Sequence, residues 1–153
     1  MATNIGTVGN DTIVGKKFAD TLFGLGGNDQ LRGSLGDDFV LGGKGNDHLF
    51  GGDGNDTLMG EAGNDILNGG DGADRFIFTT GGGKDVVADF DVDQDILQIP
   101  RTGLIKTADD VIDHATQVGS NVIIDLGGGT TIKLKNVNLD DLKDDPDSHF
   151  DVQ

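Results

Sequence analysis

The sequence predicts an all-β chain whose first half is a flattened right-handed parallel β-solenoid, on three observations. A nine-residue pattern recurs eight times between Gly6 and Ile77 without an insertion or deletion. Its sixth position is aspartate and its eighth is apolar in every copy. Glycine, at 27 of 153 residues, would ordinarily suggest a flexible or low-complexity chain, but so strict a period with a regular apolar position points instead to stacked repeats.

The register starts at Gly6, Gly15, Gly24, Gly33, Gly42, Gly51, Gly60 and Gly69. The sixth position is then Asp11, Asp20, Asp29, Asp38, Asp47, Asp56, Asp65 and Asp74, and the eighth is Ile13, Leu22, Leu31, Val40, Leu49, Leu58, Leu67 and Phe76. The fourth is glycine except at Phe18. Six residues of turn chemistry precede three that can be extended. Neighbouring strand side chains face opposite sides, so the eighth position should point inward and the seventh and ninth outward. The seventh position fits with Thr12, Thr21, Gln30, His48, Thr57 and Arg75, although Phe39 and Ile66 do not. Two copies make one coil of 18 residues carrying a strand of each of two sheets, with coils about 4.8 Å apart. The first two copies are eroded, with Thr7 and Lys16 at the second position, as expected of a terminal repeat with solvent on one side.

After Ile77 the period stops. Gly81, Gly82 and Gly83 read as a hinge, Asp85 to Phe90 as strand-like, and Ile96 to Ile99 as a strand ended by Pro100. Thr107 is placed to cap a helix with acid in its first turn, and Gly119 to stop it. Asn121 to Leu126 and Thr130 to Lys135 read as a hairpin across three glycines, and Leu139 to Leu142 as a helical turn. The chain is thus divided into a solenoid of eight repeats, 1–77, and a small β-rich cap with one short helix, 78–153.

Copies such as GGKGNDHLF and GGDGNDTLM carry a resemblance. The block resembles the RTX, or haemolysin-type, calcium-binding nonapeptide repeat, which implies a β-roll. The order DVVADF, DILQI, ADDVIDHA, NVIIDL and TTIKLKNV is similar to the module that follows such repeats in many type I secreted proteins.

Charge agrees with a cation as partner. The formal net charge is −16, from 27 acidic and 11 basic side chains, and a chain so charged resists compaction on its own. No lysine or arginine cluster offers a footprint for nucleic acid or an anionic membrane. Cysteine is absent, the start MATNIGTVGN has neither a basic nor an apolar leader region, and no stretch is long enough to span a membrane. There is no GxSxG elbow, HExxH pair or cysteine nucleophile, and Gly81-Gly82-Gly83-Lys84 lacks phosphate-loop spacing, so an enzyme is not expected.

Calcium takes six to eight oxygen ligands, and carboxylates with backbone carbonyls suit it; magnesium wants a stricter octahedron, and zinc would find no thiolates or paired histidines, since His48, His114 and His149 are scattered. Stacking puts Asp11, Asp29, Asp47 and Asp65 on one edge and Asp20, Asp38, Asp56 and Asp74 on the other. The RTX resemblance implies that each ion takes one aspartate from each of two stacked turns, plus carbonyls of Gly33, Gly42, Gly51, Gly60 and Gly69 and of Gly27, Gly36, Gly45, Gly54 and Gly63. Four such sites are expected on intact turns and two more on the eroded ones, about four to six Ca2+ in all. Related C-terminal modules imply one further ion near Asp85 and Asp89. The function expected is a calcium-binding module that folds outside the cell and accompanies type I secretion, as the C-terminal part of a larger secreted protein. The alternative is a calcium-dependent polysaccharide- or surface-binding, adhesin-like module, with a degenerate enzyme ranked last.

Overall fold

Burial of the eighth position organises the computed structural model, which describes all 153 residues. Leu22, Leu31, Val40, Leu49, Leu58, Leu67 and Phe76 are each fully buried, and Ile13, in the outermost coil, packs half-buried against them. They sit on strands that alternate between two sheets. The first sheet takes β1 (Thr3–Ile5), β3 (Thr21–Gly26), β5 (Phe39–Lys44), β7 (Thr57–Ala62) and β9 (Arg75–Ile77). The second takes β2 (Thr12–Val14), β4 (Gln30–Leu35), β6 (His48–Asp53) and β8 (Ile66–Asp71).

Every pairing within the repeats is parallel and offset by one coil: Leu22 stands beside Val40, Val40 beside Leu58 and Leu58 beside Phe76. The inward residues therefore form two apolar ladders facing each other. Strands β3 to β8 are six residues long rather than the expected three, because the glycine-rich half of each copy also joins the ladder, as where Leu25 pairs with Gly43 and Gly26 with Lys44.

In space the repeat does not end at Ile77. Strand β10 (Lys84–Val87) pairs parallel with β8, and β11 (Ile96–Ile99) pairs parallel with β9, so both sheets run on without a break in hydrogen bonding. Val87 and Leu97 take the inward apolar position and are fully buried. The sequence hides these rungs because the aspartates that continue the pattern stand 20 and 21 residues on instead of 18, which breaks the period without breaking the stack. Gly81 to Gly83 are accordingly part of a rung rather than a hinge: Gly63 N–H donates to the Gly82 carbonyl at 2.8 Å. With β1 paired to β3 ahead of the first copy, the solenoid makes about five turns.

The remaining segments close the far end. Strand β14 (Thr130–Leu134) adds parallel to β10, followed by β13 (Asn121–Gly127) and β12 (Ala115–Val118) in antiparallel order. Strand β15 (Phe150–Val152) adds to β11. Helix α1 (Ala108–Asp113) has the expected cap at Thr107, whose hydroxyl oxygen accepts from Asp110 N–H while its own N–H donates to the Asp110 carboxylate. It ends at His114, however, and Gly119, at φ +63°, turns the β12–β13 hairpin instead of stopping a helix. Thr116 and Val118 favour the strand there. Three short helices form rather than one, α2 (Leu139–Lys143) and α3 (Pro146–His149) being the others. One apolar cluster of 23 residues runs from Leu22 to Phe150.

Candidate metal centre

The sixth-position aspartates form one column on each edge of the solenoid. From Asp29 onward each carboxylate reaches back one coil, where its Oδ1 accepts the backbone N–H of the aspartate below. Asp29 N–H donates to Asp47 Oδ1 at 2.8 Å, Asp47 to Asp65 at 2.8 Å, Asp38 to Asp56 at 2.7 Å and Asp56 to Asp74 at 2.8 Å. The pairs expected from stacking are therefore neighbours. Both columns extend past the repeats, with Asp65 N–H donating to Asp85 at 3.0 Å and Asp74 N–H to Asp95 at 2.8 Å. Asp95 was not among the sequence-predicted ligands. Its signal was present, an aspartate two residues before a buried apolar one as in every repeat, but the insertion put it out of phase.

The second carboxylate oxygen is the unusual feature. Oδ2 of Asp29, Asp38, Asp47, Asp56, Asp65 and Asp74 is buried with no hydrogen-bond partner, and the six residues are at most 3% exposed. A buried carboxylate left unpaired is costly, by several kcal/mol, unless a counter-charge meets it. First-position glycine makes room for it: a side chain at Gly33 or Gly51 would collide with Oδ2 of Asp38 or Asp56 and with the carbonyl of Gly51 or Gly69 in the next coil. The orphan oxygen and that carbonyl thus border one small volume. The fourth-position glycines let the coils approach. A Cβ on Gly45 or Gly63, whose φ values are +128° and +145°, would fall on the carbonyl oxygen of Gly27 or Gly45.

Second-position residues also adopt positive φ, including three that are not glycine: Leu25 (75°), Ser34 (95°) and Glu61 (72°). Such conformations cost about 1–3 kcal/mol for a residue with a Cβ. Glu61→Gly is therefore expected to raise stability by about 1 kcal/mol after glycine's greater unfolded-state entropy is set against the relieved strain. Urea unfolding in saturating calcium checks it.

Asp89, expected to hold a further ion with Asp85, lies apart from the columns. Both oxygens of Asp89 accept from the backbone, from Gly69 N–H at 3.0 Å and Gly70 N–H at 2.9 Å, so Asp89 seals an edge next to the Asp74 column without joining it. The Nδ1 of His114 lies 2.7 Å from the Asp110 carbonyl, and His149 is buried beside Phe150. Side chains at the fifth position form a separate outer ladder, Asn28 N–H to Asn10 and Asn46 N–H to Asn28, each at 2.8 Å.

Burial shapes the titration of the columns. It is the leading cause that pushes Asp56 and Asp65 up to about 7 and Asp85 and Asp95 up to about 6, and it raises Asp38, Asp47 and Asp74 as well, with neighbouring carboxylates adding to most. Asp20 is instead lowered, first by the Lys16 N–H and then by that of Ala2. In the metal-free chain the folded state therefore holds protons that the unfolded state releases near pH 4. The stability these groups contribute is present below about pH 4 and lost as pH rises through about 6 to 7. Calcium-free protein should accordingly show more β-structure by circular dichroism at pH 4.5 than at pH 8, at constant ionic strength.

The donor set tests well for a hard cation. It holds anionic and carbonyl oxygens only, and no three carboxylate, imidazole or thiolate groups converge, so any ion would rest on paired aspartates and main-chain carbonyls. That composition suits calcium and lacks the nitrogen and sulfur that zinc prefers.

The match to one repeat family agrees with this chemistry. A four-copy model of the RTX calcium-binding nonapeptide repeat matches residues 5–40 and again residues 41–76. No curated protein sequence matches the chain. Among solved structures, the extracellular lipase LipA from Serratia marcescens is 20% identical, with a TM-score of 0.47 over 98% of this chain and 39% of the lipase. The AlgE6R3 subunit from the Azotobacter vinelandii mannuronan C5-epimerase is 22% identical, with a TM-score of 0.49 over 96% of this chain and 80% of that one. The chain spans about two fifths of the length of the lipase.

Proposed function

Residues 5–76 belong to the RTX calcium-binding nonapeptide repeat family, and from that premise we propose that this chain is a calcium-dependent folding module, disordered at low calcium and ordered in the extracellular medium. The observation that carries the reading is the set of six buried carboxylate oxygens without a partner. Asp29, Asp38, Asp47, Asp56, Asp65 and Asp74 would hold the ions, with Asp85 extending the first column and the carbonyls of the first- and fourth-position glycines completing each site. Bound calcium supplies the counter-charge and coordination that these oxygens lack inside the protein. The chain's own part is to bring the carboxylates into two columns, exclude water from them, and hold neighbouring coils at strand spacing.

Folding that waits for calcium suits a protein exported unfolded, so the module would accompany type I secretion, with residues 78–153 adding the last rungs, closing the solenoid and carrying the export signal. It would form the C-terminal part of a larger secreted protein and have no catalytic role of its own. Isothermal titration calorimetry with calcium tests the first claim, several ions per chain being the expected result. A passenger fused ahead of the chain and exported by a type I system tests the second. No helix of the chain is long and apolar enough to cross a membrane.

A second reading, binding of a polysaccharide or surface, is favoured by one feature. Phe23, Leu41, Met59 and Ile77 follow each other in register on the outer face of the first sheet, with Phe39 beside Phe23 at a ring distance of 6.4 Å. A polymer pulldown with and without calcium separates the two readings.

A further inference from the structure

Not every aspartate in the columns is left with an orphan oxygen, and the exceptions share one geometry. Oδ2 of Asp11 accepts from the N–H of Thr7 at 2.6 Å and from its hydroxyl at 2.8 Å. Oδ2 of Asp20 accepts from Lys16 N–H at 2.7 Å, and Oδ2 of Asp95 from Asp91 N–H at 2.9 Å. In each case the donor is the backbone amide four residues before the aspartate. For the six orphans the residue at that same place is Leu25, Ser34, Gly43, Gly52, Glu61 or Gly70, and every one of them has positive φ. Gly81, four before Asp85, has φ +78°, and only Oδ1 of Asp85 is bonded. Thr7, Lys16 and Asp91 are not among the positive-φ residues.

We infer that the turns ending in Asp11, Asp20 and Asp95 are metal-independent caps, in which the chain's own amide occupies the carboxylate oxygen that the other turns leave open to calcium. The backbone sign four residues before each aspartate selects between the two states. With positive φ the amide is turned away and the oxygen is orphaned; otherwise the amide closes on the carboxylate. The residue types agree with this: β-branched Thr7 resists positive φ, and Asp91 is fixed by its own bonds from Asp93 N–H and Gln94 Nε2.

The location is physically sensible. Asp11 and Asp20 begin their columns and Asp95 ends one, so an ion at any of these turns would lack a stacked aspartate turn on one side. A turn that satisfies itself ends the column without one. At the start, Ala2 N–H also donates to Asp20 Oδ1 at 2.6 Å, which ties the leading strand to the cap. The assignment narrows the ion-holding aspartates to Asp29, Asp47, Asp65 and Asp85 on one edge and Asp38, Asp56 and Asp74 on the other.

This inference rests on the calcium reading above, and one experiment separates the two. Bound calcium is counted by native mass spectrometry, and the calcium midpoint of folding is read by circular dichroism, for the wild-type chain, Asp11→Asn, Asp20→Asn and Asp47→Asn. Asp11→Asn is the gentler cap variant, since no hydrogen bond reaches Asp11 Oδ1 and a carboxamide can turn its oxygen to Thr7. The cap variants should keep the wild-type ion count and shift the midpoint by less than about twofold, while Asp47→Asn should lose ions and need about tenfold more calcium, or fail to fold at any calcium level. Cap variants that lose as many ions as Asp47→Asn overturn the cap assignment alone. A wild-type chain that binds no calcium overturns the calcium reading and this inference together.

Discussion

Stripping calcium from the chain at neutral pH is expected to unfold the repeats. Six carboxylates are held nearly out of water with one oxygen each unpartnered, and they stack in columns where neighbours repel one another. Two charges about 5 Å apart repel by about 3 kcal/mol at an effective dielectric near 20, and each column repeats that contact from coil to coil. At calcium about 100-fold above its dissociation constant each independent site contributes about 2.7 kcal/mol, so four sites contribute about 11 kcal/mol. That is comparable with the whole stability of an ordinary domain, about 5–15 kcal/mol. The chain should therefore show a disordered far-UV spectrum in chelator at pH 7.5 and a β spectrum when millimolar calcium is restored. Magnesium at the same concentration should restore much less, because it gives up its water reluctantly. Identical spectra with and without chelator would end the calcium-folding account.

Gly63→Ala should be nearly as damaging even with calcium present. The new Cβ would lie on the Gly45 carbonyl oxygen, and φ +145° at this position is one that a residue with a side chain rarely adopts. Neither strain can be relieved locally. Moving the coil away would break the Gly45 N–H bond to the Ala62 carbonyl and open the ladder between Ala62 and Lys44. The expected loss is more than about 4 kcal/mol, beyond the range of ordinary substitutions. Gly103→Ala is the control, since nothing lies within 4 Å of a Cβ there. Thermal melts of both variants in saturating calcium make the comparison, and a Gly63→Ala chain as stable as the control would show that the coils are not packed as described.

Much of this arrangement was legible from the sequence, and the illegible parts have physical causes. The pitch of 18 residues, the inward eighth position and the two aspartate columns follow from a strict nine-residue period, because a solenoid repeats in space whatever repeats along the chain. The rungs built on Val87 and Leu97 were not legible, since insertions shift Asp85 and Asp95 out of phase while leaving their backbone bonds to Asp65 and Asp74 intact. By sequence Gly119 suits a helix stop, yet it turns a hairpin, because a glycine with positive φ serves either end and only strand pairing around it decides.

The amino-acid sequence alone determined the repeat, its register and the oxygen-only chemistry, since these depend on which residue types recur at which spacing. Tertiary structure alone decided which carboxylates are orphaned. The difference between Asp20, bonded to Lys16, and Asp29, bonded to no amide at its second oxygen, lies in the sign of one backbone angle, and that sign is set by the coils packed on either side. Leu25, Ser34 and Glu61 hold a conformation their side chains disfavour, which local propensity would not have chosen and stacking imposes.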